Sequence, residues 1–106
     1  LTMSPHCGDE VKYEVLERIV KEYEDLLAAG GSILGRKVTE VITVNGARVH
    51  LEDGSWVLVR ASSNKPELVV VVESLRSEDD MRDLFRKEVK PRLAKYPEIT
   101  DYNQEI

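Results

Sequence analysis

Trp56-Val57-Leu58-Val59-Arg60-Ala61-Ser62-Ser63-Asn64-Lys65-Pro66-Glu67-Leu68-Val69-Val70-Val71-Val72-Glu73 decides the fold. Two short apolar, β-branched runs, Trp56–Val59 and Leu68–Val72, flank a polar segment. Both runs read as strands, since their length and composition suit a pleated surface better than a helix. The segment between them, Arg60–Pro66, is rich in hydrogen-bond donors. Arg60 carries a planar fork that fits phosphate or carboxylate bidentately. Ser62, Ser63 and Asn64 are short side chains that tolerate turns and leave backbone N–H groups free to face an anion. Lys65 adds a second cation, and no carboxylate lies inside the loop to repel an anion. The loop therefore reads as an anion-binding loop, with phosphate the first expectation. The plainer alternative is a solvated turn whose arginine pairs with a neighbour such as Glu67.

Outward from this hairpin, Val38–Val44 reads as a strand, and Asn45-Gly46 is the strongest short hairpin signal. Ala47, Val49 and Leu51 alternate with Arg48 and His50, giving a strand with one dry and one wet face. Glu52–Ser55 makes the next turn and leads into Trp56. The unbroken valines of Leu68–Val72 suit a central strand covered on both faces, or on one face with a neighbouring domain against the other.

Helices frame the strands. Val11, Val15, Leu16, Ile19, Val20, Tyr23, Leu26 and Leu27 recur at helical spacing, with Lys12, Glu17, Lys21 and Glu24 on the opposite face. Asp9 is a candidate cap and Gly30-Gly31 a stop. Ser77-Glu78-Asp79-Asp80 opens a second helix with a hydroxyl cap and an acidic first turn. Met81, Leu84, Phe85 and Val89 form its inner stripe, and Pro91 ends or kinks it. Residues 1–8 read as an irregular lead-in and Tyr96–Ile106 as a polar tail. The sum is α+β: a four-stranded antiparallel sheet with two flanking helices on one face, forming a single domain over residues 1–106.

Composition limits the partners. A net charge of −5 on 106 residues argues against nucleic acid and anionic membranes. No run approaches the apolar length of a membrane span. The single cysteine, Cys7, allows no internal disulfide and suits a reducing compartment, so we expect a cytoplasmic protein. His6 and Cys7 lack partners at metal-ligand spacing, and Asp79-Asp80 is better explained as helix-start charge.

The 56–73 segment resembles the signature near the C-terminus of the α-D-phosphohexomutases, the phosphomannomutases, phosphoglucomutases and phosphoglucosamine mutases. Their pattern there is a tryptophan, an apolar strand, Arg-Pro-Ser-Gly/Asn-Thr-Glu/Lys-Pro, then a second apolar strand ending in Glu. Arg60, Ser62, Ser63, Asn64, Lys65 and Pro66 fall in register with it. Ala61 departs from the family proline, and Asn64 puts a carboxamide where the family has a hydroxyl. The likeness extends over roughly residues 37–95 and loosely over the first helix.

The resemblance implies a TATA-binding-protein-like C-terminal domain of an isomerase, an intramolecular phosphotransferase of carbohydrate metabolism. It implies that Arg60, Ser62, Ser63, Asn64 and Lys65 hold the non-transferred phosphate of a hexose phosphate, mannose or glucose 1- or 6-phosphate. An enzyme phosphoserine and Mg2+ in upstream domains of the same chain would perform the transfer. The sequence opens on Leu1 without Met and shows neither a serine loop nor an aspartate-rich metal loop. We therefore expect a domain of a larger mutase, with no catalytic residue, metal or cofactor of its own. A phosphate-sensing or adaptor module of similar build is the competing expectation.

Overall fold

The computed structural model describes residues 1–106. Its element order is β1 (Thr2–Met3), β2 (Pro5–Cys7), α1 (Lys12–Ala28), β3 (Ser32–Ile33), β4 (Arg36–Ile42), β5 (Ala47–Leu51), β6 (Trp56–Ala61), β7 (Leu68–Glu73), α2 (Glu78–Asp83), a π-helical stretch Leu84–Val89, α3 (Lys90–Leu93) and β8 (Ile99–Tyr102). The class is α+β. One six-stranded sheet runs in the order β1-β7-β6-β5-β4-β3, and β2 pairs with β8 in a separate ribbon.

The expected meander is its centre: β4 to β7 are joined antiparallel in sequence order. Asn45 and Gly46 take positive φ values of 61° and 135° in the β4–β5 turn, as the Asn-Gly pair requires. The expected count of four strands is corrected to six. The lead-in supplies one, since Thr2 and Met3 pair with Val71 and Val70. Ser32–Ile33 supplies the other, pairing with Lys37 and Arg36. Both are two residues long, too short to show any alternation in sequence. The polar tail is likewise corrected: Ile99–Tyr102 returns to pair with Pro5–Cys7.

Alternation along the strands builds the core. Ala47, Val49, Leu51, Val57, Val59, Leu68, Val70 and Val72 are all buried, and they join Val15, Leu16, Ile19 and Tyr23 of α1 with Leu84, Phe85, Val89 and Leu93 in one cluster. Both helical segments thus lie on one sheet face. On the opposite face Trp56, Leu58, Val69 and Val71 are half-buried and Arg48, Arg60 and Glu73 are exposed. Trp56 Nε1 donates to Glu73 at 2.7 Å, and the Arg48 guanidinium sits 4.2 Å from its ring centroid.

The helix ends follow their sequence signals with one exception. Gly30 adopts φ 68°, and the N–H groups of Gly31 and Gly30 return to the carbonyls of Leu26 and Leu27. This paired closure satisfies the last free carbonyls of α1. Ser77 Oγ accepts the Asp80 N–H at 3.0 Å at the start of α2. Asp9 does not cap α1; its carboxylate accepts the Lys12 ammonium instead, and the Val11 and Lys12 N–H groups donate to Gly8 O.

Pro91 neither ends nor sharply breaks the second helix. Its ring would crowd the carbonyl one turn back, and it has no N–H to donate. The wider turn Leu84–Val89 precedes it, with the Lys90 N–H reaching back to Phe85 O. A local i→i+5 turn absorbs the misfit while Leu84, Phe85, Val89 and Leu93 stay buried.

Candidate functional site: the loop between β6 and β7

The Arg60–Pro66 loop is closed at its base by the Ser62 N–H donating to Glu67 O at 2.9 Å. At its far end the Glu67 N–H donates back to Lys65 O at 2.8 Å, across a tight turn centred on Pro66. Proline fixes φ near the value that such a turn needs. The Cys7 N–H holds Pro66 O at 2.8 Å, so β2 braces the loop from the side.

Beneath the loop lies Lys12. Spacing put it on the wet face of α1; the structure instead buries it to 3% exposure. Its ammonium donates to Ser62 O at 2.6 Å, Lys65 O at 2.9 Å and Asp9 Oδ1 at 2.7 Å. An ammonium has three protons, so the set is complete. The reason is local: a buried charge persists only when fully partnered, and the loop offers two carbonyls, of which Lys65 O also accepts the Glu67 N–H.

The loop therefore sorts its polar groups. Carbonyls of Ser62 and Lys65 face inward to Lys12. The N–H groups of Ser63, Asn64 and Lys65 find no acceptor within the chain. Ser63, Asn64 and Lys65 are exposed, as is Arg60. Ser62 is 6% exposed, and its hydroxyl donates to Asn64 Oδ1 at 3.2 Å.

Neither Arg60 nor Lys65 enters an ion pair. The only bond of the Arg60 guanidinium is to Ala61 O, at 3.4 Å. The pairing with Glu67, the plainer alternative for this loop, does not form. Gly46 backs directly onto this strand end: a Cβ there would lie 2.2 Å from Val59 O and 3.0 Å from Arg60 Cα. Arg60, Ala61 and Ser63 line an open groove of about 1010 Å³ against α1 and the 43–46 turn. Glu17, Lys21 and Glu24 of α1 line the same groove, so Arg60 faces a wall of mixed charge, and Lys65 lies outside the groove lining.

Of the five expected site residues, Arg60 lies near the end of β6, paired with Val69, and Ser62, Ser63, Asn64 and Lys65 follow on the loop; four are exposed and Ser62 is an internal brace. Lys12 is the member that sequence reasoning missed. Asp80 of the Asp79-Asp80 pair is engaged by Arg36 at 2.8 and 2.9 Å and by Ser74 at 2.6 Å.

Residues 10–90 match the family model described as the C-terminal domain of phosphoglucomutase/phosphomannomutase. A phosphopentomutase of Thermococcus kodakarensis is 40% identical over 68 residues, 64% of this chain and 14% of its own length. A probable phosphoglucosamine mutase of Methanothermobacter thermautotrophicus is 33% identical over 72 residues, 68% of this chain and 14% of its own. A phosphoglucosamine mutase of Methanocaldococcus jannaschii is 34% identical over 84 residues, 79% of this chain and 16% of its own. The chain therefore spans only about a seventh of the length of the relatives it matches. With the family model covering most of the strands and both helical segments, the chain belongs to the phosphoglucomutase/phosphomannomutase family and corresponds to its C-terminal domain.

Proposed function

We propose that this chain is the domain of a larger phosphomutase that grips the non-transferred phosphate of a sugar phosphate. The observation that carries the reading is the sorted loop. Two unpaired cations and three free N–H groups lie on it, while two of its carbonyls are turned inward to Lys12. Arg60 supplies a fork for two oxyanions, Lys65 a point charge, and Ser63, Asn64 and Lys65 their amides. Ser62 holds Asn64 in place. Fixing the distal phosphate orients the reactive end of the sugar towards a phosphoryl donor on another domain, a contribution of several kcal/mol when geometry is well defined. The donor and the Mg2+ that neutralises the transferred group belong to that other part of the chain. No cluster of His, Cys, Asp or Glu here could hold the ion.

The substrate is read as a hexose phosphate, mannose or glucose 1- or 6-phosphate. The relatives' names range over pentose and glucosamine, which fits a loop that reads the anion more than the ring. A TATA-binding-protein-like fold is the finer reading of the architecture, supported by both helices sharing one sheet face; it brings no DNA binding with it. No helix is long and apolar enough to cross a membrane, and we read the parent enzyme as cytoplasmic.

The test is an NMR titration of this chain with mannose 6-phosphate and glucose 1-phosphate, with mannose as the uncharged control. Amide shifts centred on residues 60–65 with both phosphates and none with mannose are expected. Equal shifts with mannose, or no shifts at saturating phosphate, overturn the reading.

A further inference from the structure

We propose that Lys12 is a positioning residue for the anion loop: its buried ammonium orients the loop's peptide groups for phosphate. The inference rests on the phosphate-binding reading of the Arg60–Pro66 loop. Lys12 is the first residue of α1, where a cation opposes the positive end of the helix dipole. A lysine buried at that place is locally unfavourable, and its three short contacts show what holds it there.

The geometry gives the ammonium two effects on the loop. All peptide bonds are trans, so each N–H points opposite to the carbonyl of the same unit. Pulling Ser62 O inward at 2.6 Å therefore turns the Ser63 N–H outward. Holding Lys65 O at 2.9 Å keeps that lone pair away from any anion above the loop; the next residue, Pro66, has no N–H to turn. An unheld loop would present a mixture of carbonyls and amides, and carbonyls repel phosphate. The ammonium also places a charge under the loop, partly offset by Asp9, whose side chain is 66% exposed. Lys12 touches no ligand space itself, since it is sealed beneath the loop with Tyr13 alongside, 5.4 Å from Nζ to the ring centroid.

The test compares Lys12→Met, Lys12→Arg and Arg60→Ala in the same phosphate titration. Methionine keeps the apolar stem and removes every donor. With Lys12→Met we expect the Ser63–Lys65 amide resonances to move before ligand is added, resonances of Val57 and Val70 to stay, and phosphate affinity to fall about tenfold or more, as loss of charged hydrogen bonds implies. Lys12→Arg retains charge and donors but puts a planar fork where a compact ammonium makes three contacts, so it is expected to bind more tightly than Lys12→Met and less tightly than the parent. Lys12→Met binding within about twofold of the parent, while Arg60→Ala weakens binding about tenfold or more, overturns the positioning role and leaves the loop reading intact. No binding by the unmodified chain overturns both. If Lys12→Met does not fold, Asp9→Ala decides. It frees one acceptor, leaves both loop carbonyls held and removes a nearby negative charge. Its affinity should be unchanged or tighter, and a tenfold loss would overturn the inference.

Discussion

Arg36 and Arg60 stand near the ends of two strands separated by β5, each beside a polar turn, and their fates differ completely. Arg36 opens β4 and is 2% exposed. Its guanidinium takes both oxygens of Asp80 at 2.8 and 2.9 Å and one of Asp53 at 3.1 Å. Ser74 and Ser55 add bonds to the same carboxylates, and Arg76 meets Asp53 at 2.9 Å. The network ties β4, the 52–55 turn and the start of α2 into one unit. Arg60, one residue before the end of β6, stands in the open with a single weak contact to a carbonyl. The residue type is identical; the supply of carboxylates is not. A turn that carries its own aspartate consumes its arginine for structure, whereas the Arg60–Pro66 loop carries none and leaves its arginine available to a ligand.

The largest effect should come from breaking the consumed site. Arg36→Met leaves Asp53 and Asp80 half-buried with only the half-exposed Arg76, at 2.9 Å from Asp53, as a cation. Removing one partner of a buried pair costs about 3–5 kcal/mol, and urea unfolding at neutral pH would show it. The same site gives the pH dependence. Burial pushes Asp80 up, but hydrogen bonds from Arg36 and Ser74 outweigh it and hold the carboxyl below its ordinary range. Burial also opposes Asp53, where Ser55 and Arg36 prevail in the same direction. Depressed folded values mean that this stability is complete above the unfolded value of about 4 and is lost as pH falls through the folded values. Asp80→Asn should therefore be less stable at pH 7 and flatter in its acid dependence than the parent.

Arg60→Ala probes the other half of the contrast. Stability should move by less than about 0.5 kcal/mol, as for exposed positions without partners. Phosphate affinity should fall by about 1.5–3 kcal/mol, the range for a charged hydrogen bond. A stability loss as large as that of Arg36→Met would erase the distinction between the two arginines.

Gly46→Ala sharpens the comparison from the side of the strand. A Cβ cannot sit 2.2 Å from Val59 O, and φ 135° disfavours any side chain. The β4–β5 turn must move away from the end of β6, at a cost of about 1–3 kcal/mol. Because that turn also borders the groove, phosphate-induced shifts at Arg60 should weaken while Lys65 is little changed.

Much of this was legible in the residues. Alternation at Ala47, Val49 and Leu51 marked the inner face of β5, and the Asn45-Gly46 pair marked the turn, although β4 ends at Ile42, opposite Arg48, two residues short of the tight hairpin the pair suggested. Gly30-Gly31 and Ser77 marked helix ends by chemistry that acts within one turn. What was hidden depends on distant partners. Thr2–Met3, Ser32–Ile33 and Ile99–Tyr102 are strands only because a long strand or another terminus offers them hydrogen bonds. Lys12 is buried by carbonyls of residues 62 and 65, far along the chain. One local sign was present: a lysine opening a helix violates the dipole rule, and such violations gather where structure serves a site. The composition of the loop showed its wealth of donors, but not which of its peptide groups would face outward.

Glu67→Ala is the smallest expected effect and the most direct check on why Arg60 is free. Glu67 follows Pro66 and was the nearest candidate to neutralise the arginine. In the structure its backbone is committed, donating to Lys65 O and accepting from the Ser62 N–H, and its bridge to His6 holds it against β2. Its carboxylate forms no ion pair with Arg60 or Lys65. Removing that carboxylate should change stability by less than about 0.5 kcal/mol. It should leave phosphate affinity unchanged or slightly tighter at low salt, with the gain vanishing as salt screens the site. A marked stability loss together with tighter binding would mean that Glu67 competes with phosphate for Arg60 in solution. The carboxylate supply that separates the two arginines would then be a difference of degree.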